Sequence, residues 1–257
     1  MRLNVHRLGT PAGRPLLAIH GVTGHGSRYA SLADLAAPDR DVISVDLRGH
    51  GRSGGEPPWD VITHVDDILE TLEAEGIDES IDVMGHSFGG LLALSLLTLA
   101  PDLVQRAVLL DPAIALPLDY CAERAAEVIA FAGWESPEVA IEDRKAGVAE
   151  RGHRFIADEV AEHVVQGDDG RWRARFVPAA AVTAWSEMAH AAPIPEEPRP
   201  VLILRAARDI YVREDTLLAP LREALGDDLE VVDIDSAHMI DWEQPEAAAA
   251  EIRRFLS

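Results

Sequence analysis

Short apolar runs and helix-period segments alternate along the 257-residue chain with a regular beat. The runs at 16–20, 42–46, 81–84, 107–110, 201–206 and 230–234 are brief, rich in branched residues and bounded by turn formers. Near-continuous apolar runs of this length suit strands buried on both faces of a parallel sheet. Helical patterns lie between them at 29–36, 61–75, 88–100 and 214–224, and a last one at 246–255 follows Pro245. Residues 5–8 predict an added edge strand. The alternation argues for an α/β fold, a mostly parallel central sheet flanked by helices.

One interval breaks the rhythm. Residues 113–197 hold helical patterns at 121–131, 137–150, 157–165 and 179–189 but no run that reads as a buried strand. That is far longer than an ordinary crossover connection. The sequence therefore predicts a core domain made of residues 1–112 and 198–257, with residues 113–197 inserted as a helical cap.

Within the core, the strand at 81–84 runs straight into Gly85-His86-Ser87-Phe88-Gly89-Gly90 and then into a helix. Glycine has more backbone freedom to lose than any other residue, so a cluster of three needs a reason. A tight strand-to-helix turn supplies one. It projects the central side chain clear of the sheet, in a strained backbone that neighbouring residues permit only if they lack side chains. Gly85 and Gly89, two positions either side of Ser87, fit that nucleophile elbow. The hydroxyl would then sit at a helix N-terminus, where free N–H groups favour developing negative charge.

Four stretches together carry a resemblance. "HGVTG" at 20–24, "DLRGHGRSGG" at 46–55, "GHSFGG" at 85–90 and "DSAHMIDWEQPE" at 235–246 make the chain resemble the α/β-hydrolase superfamily over nearly its whole length, in the serine-nucleophile, esterase- or lipase-like branch with a helical cap. The resemblance implies a triad in chain order serine, acid, histidine. Ser87 would be the nucleophile and His238, in a short loop after the 230–234 strand, its base. Asp209, just beyond the 201–206 strand, holds the usual family position of the acid. Asp111, at the end of the 107–110 strand, is its rival, since some members carry the acid there. Asp233 and Asp235 lie too close to His238 in the chain to be favoured. The oxyanion hole would be formed by the backbone N–H groups of Phe88 and Val22. His20, His86 and His50 read as architectural. A serine at position 87 sets the chain apart from the epoxide-hydrolase and dehalogenase branches, which place aspartate there.

These parts imply acyl chemistry: a carboxylesterase-like enzyme cleaving an ester of a small, largely apolar substrate through an acyl-enzyme. The same triad also serves lactonases, carbon–carbon bond hydrolases, aminopeptidases and perhydrolases, and the same fold serves slow-turnover ligand receptors. Candidate pocket walls are Phe131, Trp134, Trp172, Phe176, Trp185 and Met188, with Tyr211 and Met239 beside the acid and base.

Composition narrows the field further. The net charge of −22 would repel phosphate backbones and anionic membranes, so neither nucleic acid nor a membrane surface is expected as a partner. No apolar run approaches the roughly 18 residues of a membrane span, and the first residues do not read as a signal peptide. A lone cysteine, Cys121, forms no disulfide framework and fits a reducing, cytoplasmic setting. The scattered histidines and the absence of a phosphate-binding glycine motif predict no metal and no cofactor. A monomer or homodimer acting on a small molecule is the expectation.

Overall fold

The computed structural model describes residues 1–11 and 13–257. In chain order the elements are β1 (Asn4–Gly9), β2 (Pro15–Ile19), α1 (Ala30–Ala36), β3 (Asp41–Asp46), α2 (Val61–Ala74), β4 (Ile81–His86), α3 (Phe88–Leu99) and β5 (Val104–Leu110). Then come α4 (Leu118–Ala130), α5 (Pro137–Ala146), α6 (His153–His163), β6 (Val164–Gln166), β7 (Trp172–Ala174) and α7 (Pro178–Glu187). The chain closes with β8 (Val201–Ala206), α8 (Ala219–Leu225), β9 (Leu229–Ile234), α9 (Ile240–Glu243) and α10 (Pro245–Leu256).

Seven strands form one sheet in the order β1-β3-β2-β4-β5-β8-β9. All neighbours are parallel except β1, which runs antiparallel to β3 at the edge. Alternate residues divide between two cores, as the period of two in a strand requires. Leu17, Ile19, Ile43, Val45, Val83, Leu109 and Ile203 face the cluster that receives α2, α3 and α8. Leu16, Ala18, Val42, Met84, Val108, Leu202 and Leu204 face the one that receives α1 and α10. Helix α3 is buried along nearly its whole length, which fits its apolar composition from Phe88 to Leu97.

Between β5 and β8 the structure places four helices, as the patterns predict, and also the short antiparallel hairpin β6–β7. The helix expected to run to residue 165 stops at His163, where β6 begins. Strands of three residues carry too little alternation to read from sequence. This segment is packed in two ways. Cys121, Ala184 and Met188 of the α4–α7 pair join the main core, whereas Ala140, Ile156, Val160 and Val164 form a small cluster of their own around Trp242. The helix expected at 214–224 starts as a wider turn at Glu214–Leu218 before becoming α8. Among the described residues no helix is long and apolar enough to cross a membrane.

Candidate active site

The turn from β4 into α3 is as strained as its glycines suggest. Ser87 has φ 57° and ψ −119°, a conformation that costs a side-chain-bearing residue of order 1–3 kcal/mol. The glycines are needed because backbone crowds them: a Cβ on Gly85 would lie 2.1 Å from the Gly89 oxygen, and one on Gly89 would lie 2.0 Å from the Ile19 oxygen. On the other side, a Cβ on Gly21 would come within 2.9 Å of the Ser87 Cβ. The "HGVTG" loop after β2 thus presses directly against the elbow. The N–H groups of Val22 and Phe88 have no hydrogen-bond partner among the described residues, which leaves both donors open.

His238 is held from several directions. Its Nδ1–H donates to Asp111 Oδ2 at 2.7 Å, so the acceptor lone pair sits on Nε2. His86, next to Ser87, donates from Nε2 to the His238 carbonyl at 2.9 Å, tying the histidine loop to the elbow. Tyr211 packs its ring 4.2 Å from the imidazole, with its hydroxyl 2.8 Å from that of Tyr120. Ser87 and His238 line one cavity of about 430 Å³, walled also by Val22, Trp185, Tyr211 and Met239.

The sequence favours Asp209 as the partner of His238; the structure places Asp111 there instead. Asp111 is fully buried one residue beyond β5, with φ 41° turning it inward, and its second oxygen accepts the Ala206 N–H at 3.0 Å. Asp209 stands three residues beyond the adjacent strand β8, and its Oδ1 caps the neighbouring Ile210 N–H at 2.7 Å. Both carboxylates and the imidazole offer ligand atoms within 4.8 Å of one another, a spacing that a divalent ion tolerates. The direct Asp111–His238 hydrogen bond and the Ala206 contact already use three of those lone pairs and protons. Ordinary histidine orientation accounts for the group.

Burial sets the electrostatics. It pushes the Asp111 carboxyl up to about 7, against the hydrogen bond from Ala206, and raises that of Asp209 as well. It lowers the His238 imidazole to about 4, with Asp209 pulling the other way. The direction for His238 is clear: low solvation disfavours the imidazolium, so the ring is neutral at neutral pH and its Nε2 lone pair is free to accept a proton.

The other motifs of the resemblance are scaffolding in physical terms. His20 Nε2 accepts from the Leu47 N–H at 3.0 Å while its Nδ1–H donates to the Gly21 carbonyl at 2.7 Å, joining two loops. Asp46 organises "DLRGHGRSGG" by accepting the amides of Gly26 at 2.7 Å and Arg52 at 2.8 Å. Burial opposes its charge, but the hydrogen bonds from His6 and those amides win and hold its carboxyl well below the usual range.

Of the expected walls, Trp185, Tyr211 and Met239 line the cavity. The others lie elsewhere. Met188 is buried in the main core, and Trp134 and Trp172 pair across a bridge in the small cluster. Phe131 packs on Trp134 at 4.7 Å, and Phe176 stacks on His50 at 6.2 Å. The cavity instead contains residues that pattern reading missed: Arg28, Arg124, Arg144, Glu127 and Trp242. Charged positions on helices read as solvent-facing unless the fold brings their faces over a site.

This architecture matches a known family. The model of the alpha/beta hydrolase family matches residues 16–251, and the chain belongs to that family. It is 36% identical over 257 residues to "Lipase LipV" of Mycobacterium tuberculosis, covering 99% of this chain and 97% of that one. It is 29% identical to "Esterase YbfF" of Escherichia coli, covering 95% and 93%. Among solved structures, a marine microorganism esterase superposes with a TM-score of 0.80 at 19% identity, covering 99% of each chain. E-2-(Acetamidomethylene)succinate hydrolase superposes with 0.83 at 23%, covering 99% of this chain and 94% of that one. The protein is a hydrolase.

Proposed function

We propose that the protein hydrolyses a carboxylic ester, or a similar acyl bond of a small molecule, through an acyl-enzyme on Ser87. In this reading His238 Nε2 takes the hydroxyl proton as Ser87 attacks the carbonyl carbon. Asp111, not Asp209, orients the ring and stabilises the imidazolium. The amides of Val22 and Phe88 receive the oxyanion, each fixed donor being worth roughly 3–4 kcal/mol in the transition state. His238 then protonates the leaving alcohol and activates water to release the acid. Residues 113–197 serve as the cap that roofs the cavity and selects the substrate.

The observation that carries the reading is the strained Ser87 beside two unpartnered amides, in one cavity with a histidine whose Nδ1 is spoken for. The names of the two curated relatives support the ester bond as its target. A panel of p-nitrophenyl esters, lactones and aminoacyl anilides, run on wild type and Ser87→Ala, tests it. Turnover of esters that vanishes in the variant is expected. Preference for the anilides would overturn the ester assignment.

A further inference from the structure

The cavity roof contains an anomaly of charge. In a protein of net charge −22, three arginines, Arg28, Arg124 and Arg144, line the space above Ser87, against one acidic residue, Glu127. Arg28 is satisfied. It is bound by both oxygens of the buried Glu159 and lies over the Trp242 ring at 5.1 Å, with Asp241 acting on it as a further anion.

Arg144 differs. Its guanidinium donates no hydrogen bond to any described residue, and its Nε is buried without a partner. The nearest carboxylate oxygen, Glu159 Oε1, is 3.7 Å away and already taken by Arg28. The ring of Trp134 stands 5.5 Å from it, and the carboxylate of its chain neighbour Asp143 instead accepts the Trp134 Nε1–H at 3.0 Å. The Arg144 side chain is 18% exposed and lines the cavity, and of its nitrogens only Nε is both buried and unpartnered, so its terminal nitrogens stay open. Arg124 repeats the pattern more weakly. Its Nε is buried and unpartnered, but one terminal nitrogen reaches Glu127 at 2.7 Å and Glu123 at 3.6 Å, and the guanidinium stands 5.5 Å from the Tyr120 ring. A buried guanidinium with open donors is costly unless an anion completes it.

We propose that Arg144, with Arg124 beside it, binds an anionic group of the substrate, so that the preferred ester carries a carboxylate remote from the bond cleaved. A planar guanidinium fork matches a carboxylate in two-point contact, which gives position as well as attraction. The inference rests on the hydrolase reading above and specifies its substrate class. It replaces the expectation of a largely apolar substrate: Val22, Val128, Val148 and Trp185 supply apolar walls for the chain between the two ends.

The test compares 4-nitrophenyl hydrogen glutarate with its methyl-capped diester, which differs only in the charge. Wild type should favour the acid in kcat/KM by at least about 10-fold, the weight of one charge-assisted contact. Arg144→Gln should erase that preference and Arg144→Lys should restore part of it. Arg222→Gln, a surface change far from the cavity, should keep it. A wild-type ratio of one or less, or a ratio untouched in Arg144→Gln, would overturn the proposal. Calorimetry of hydrogen glutarate monomethyl ester with Ser87→Ala separates the two readings. Binding that weakens in Ser87→Ala/Arg144→Gln, without any Ser87-dependent turnover in wild type, would sustain the anion site and sink the ester-hydrolysis reading. Turnover of both esters at equal efficiency would do the reverse.

Discussion

The floor and the roof of the cavity are built on opposite principles. On the floor the groups that set the geometry are spoken for, and only the Ser87 hydroxyl, His238 Nε2 and the Val22 and Phe88 amides stay open: Asp111 accepts from His238 and Ala206, His86 holds the His238 carbonyl, and the glycines admit backbone with no space to spare. On the roof, Arg144 and Arg124 leave donors open, and part of the segment between β5 and β8 rests on a small cluster of its own. A closed network fixes the geometry that chemistry requires. Open donors over the same space are what a surface needs to choose among ligands.

The floor should break abruptly. Ser87→Ala is expected to lower kcat by about 10⁶-fold, since the rest of the machinery acts only through this oxygen. The two carboxylates sharpen the contrast. Asp111→Asn should cost about 10⁴-fold in kcat, because an amide would hold the ring in the wrong tautomer. Asp209→Asn should cost less than about 10-fold, as its carboxylate acts on His238 without bonding its Nδ1. Steady-state kinetics on one ester ranks all three; the reverse order for the two aspartates would reassign the acid. On the roof, Trp185→Ala should change kcat/KM by no more than about 100-fold and reorder the preference among acyl lengths, as removal of pocket contacts does.

The same contrast reaches stability. Gly89→Ala should destabilise the protein by about 3 kcal/mol or more, because its Cβ would stand 2.0 Å from the Ile19 oxygen. Gly76→Ala meets nothing within 4 Å and pays only for its φ of +74°, about 1 kcal/mol. Denaturant midpoints separate the two. Acid should act mainly through the buried histidines. Burial lowers His50, His86 and His238 to about 4 and His64 and His163 to about 3. Each of these takes up a proton near pH 6.5 when unfolded but only near pH 3–4 when folded. Asp111, raised to about 7, works with the opposite sign, but five rings outweigh one carboxyl, so the unfolded state binds more protons across that window and stability should fall as pH drops through it. A thermal midpoint flat from pH 6.5 to 4 would contradict the burial of these rings.

What sequence could reveal followed the same division. The β4–α3 elbow, the paired glycines and the loop after β9 were legible because steric demands on the backbone leave few residue choices. The strand boundaries fell within a few residues for the same reason. Which of Asp111 and Asp209 bonds His238 was not legible, since both follow adjacent strands and only the inward twist at Asp111 separates them. The roof was read in outline alone. Aromatic residues such as Trp134 and Phe131 went to packing against each other, while Arg124 and Arg144, on helices that look solvent-facing in sequence, turned over the cavity.

The acyl-enzyme itself offers the most direct test. Wild-type protein mixed rapidly with a p-nitrophenyl ester and quenched in acid should show a burst of nitrophenol near one equivalent. Peptide mass spectrometry should then find the acyl mass on the peptide containing Ser87. A burst-free course with that peptide unmodified, or the acyl group on another side chain, would contradict the assignment of Ser87 as nucleophile.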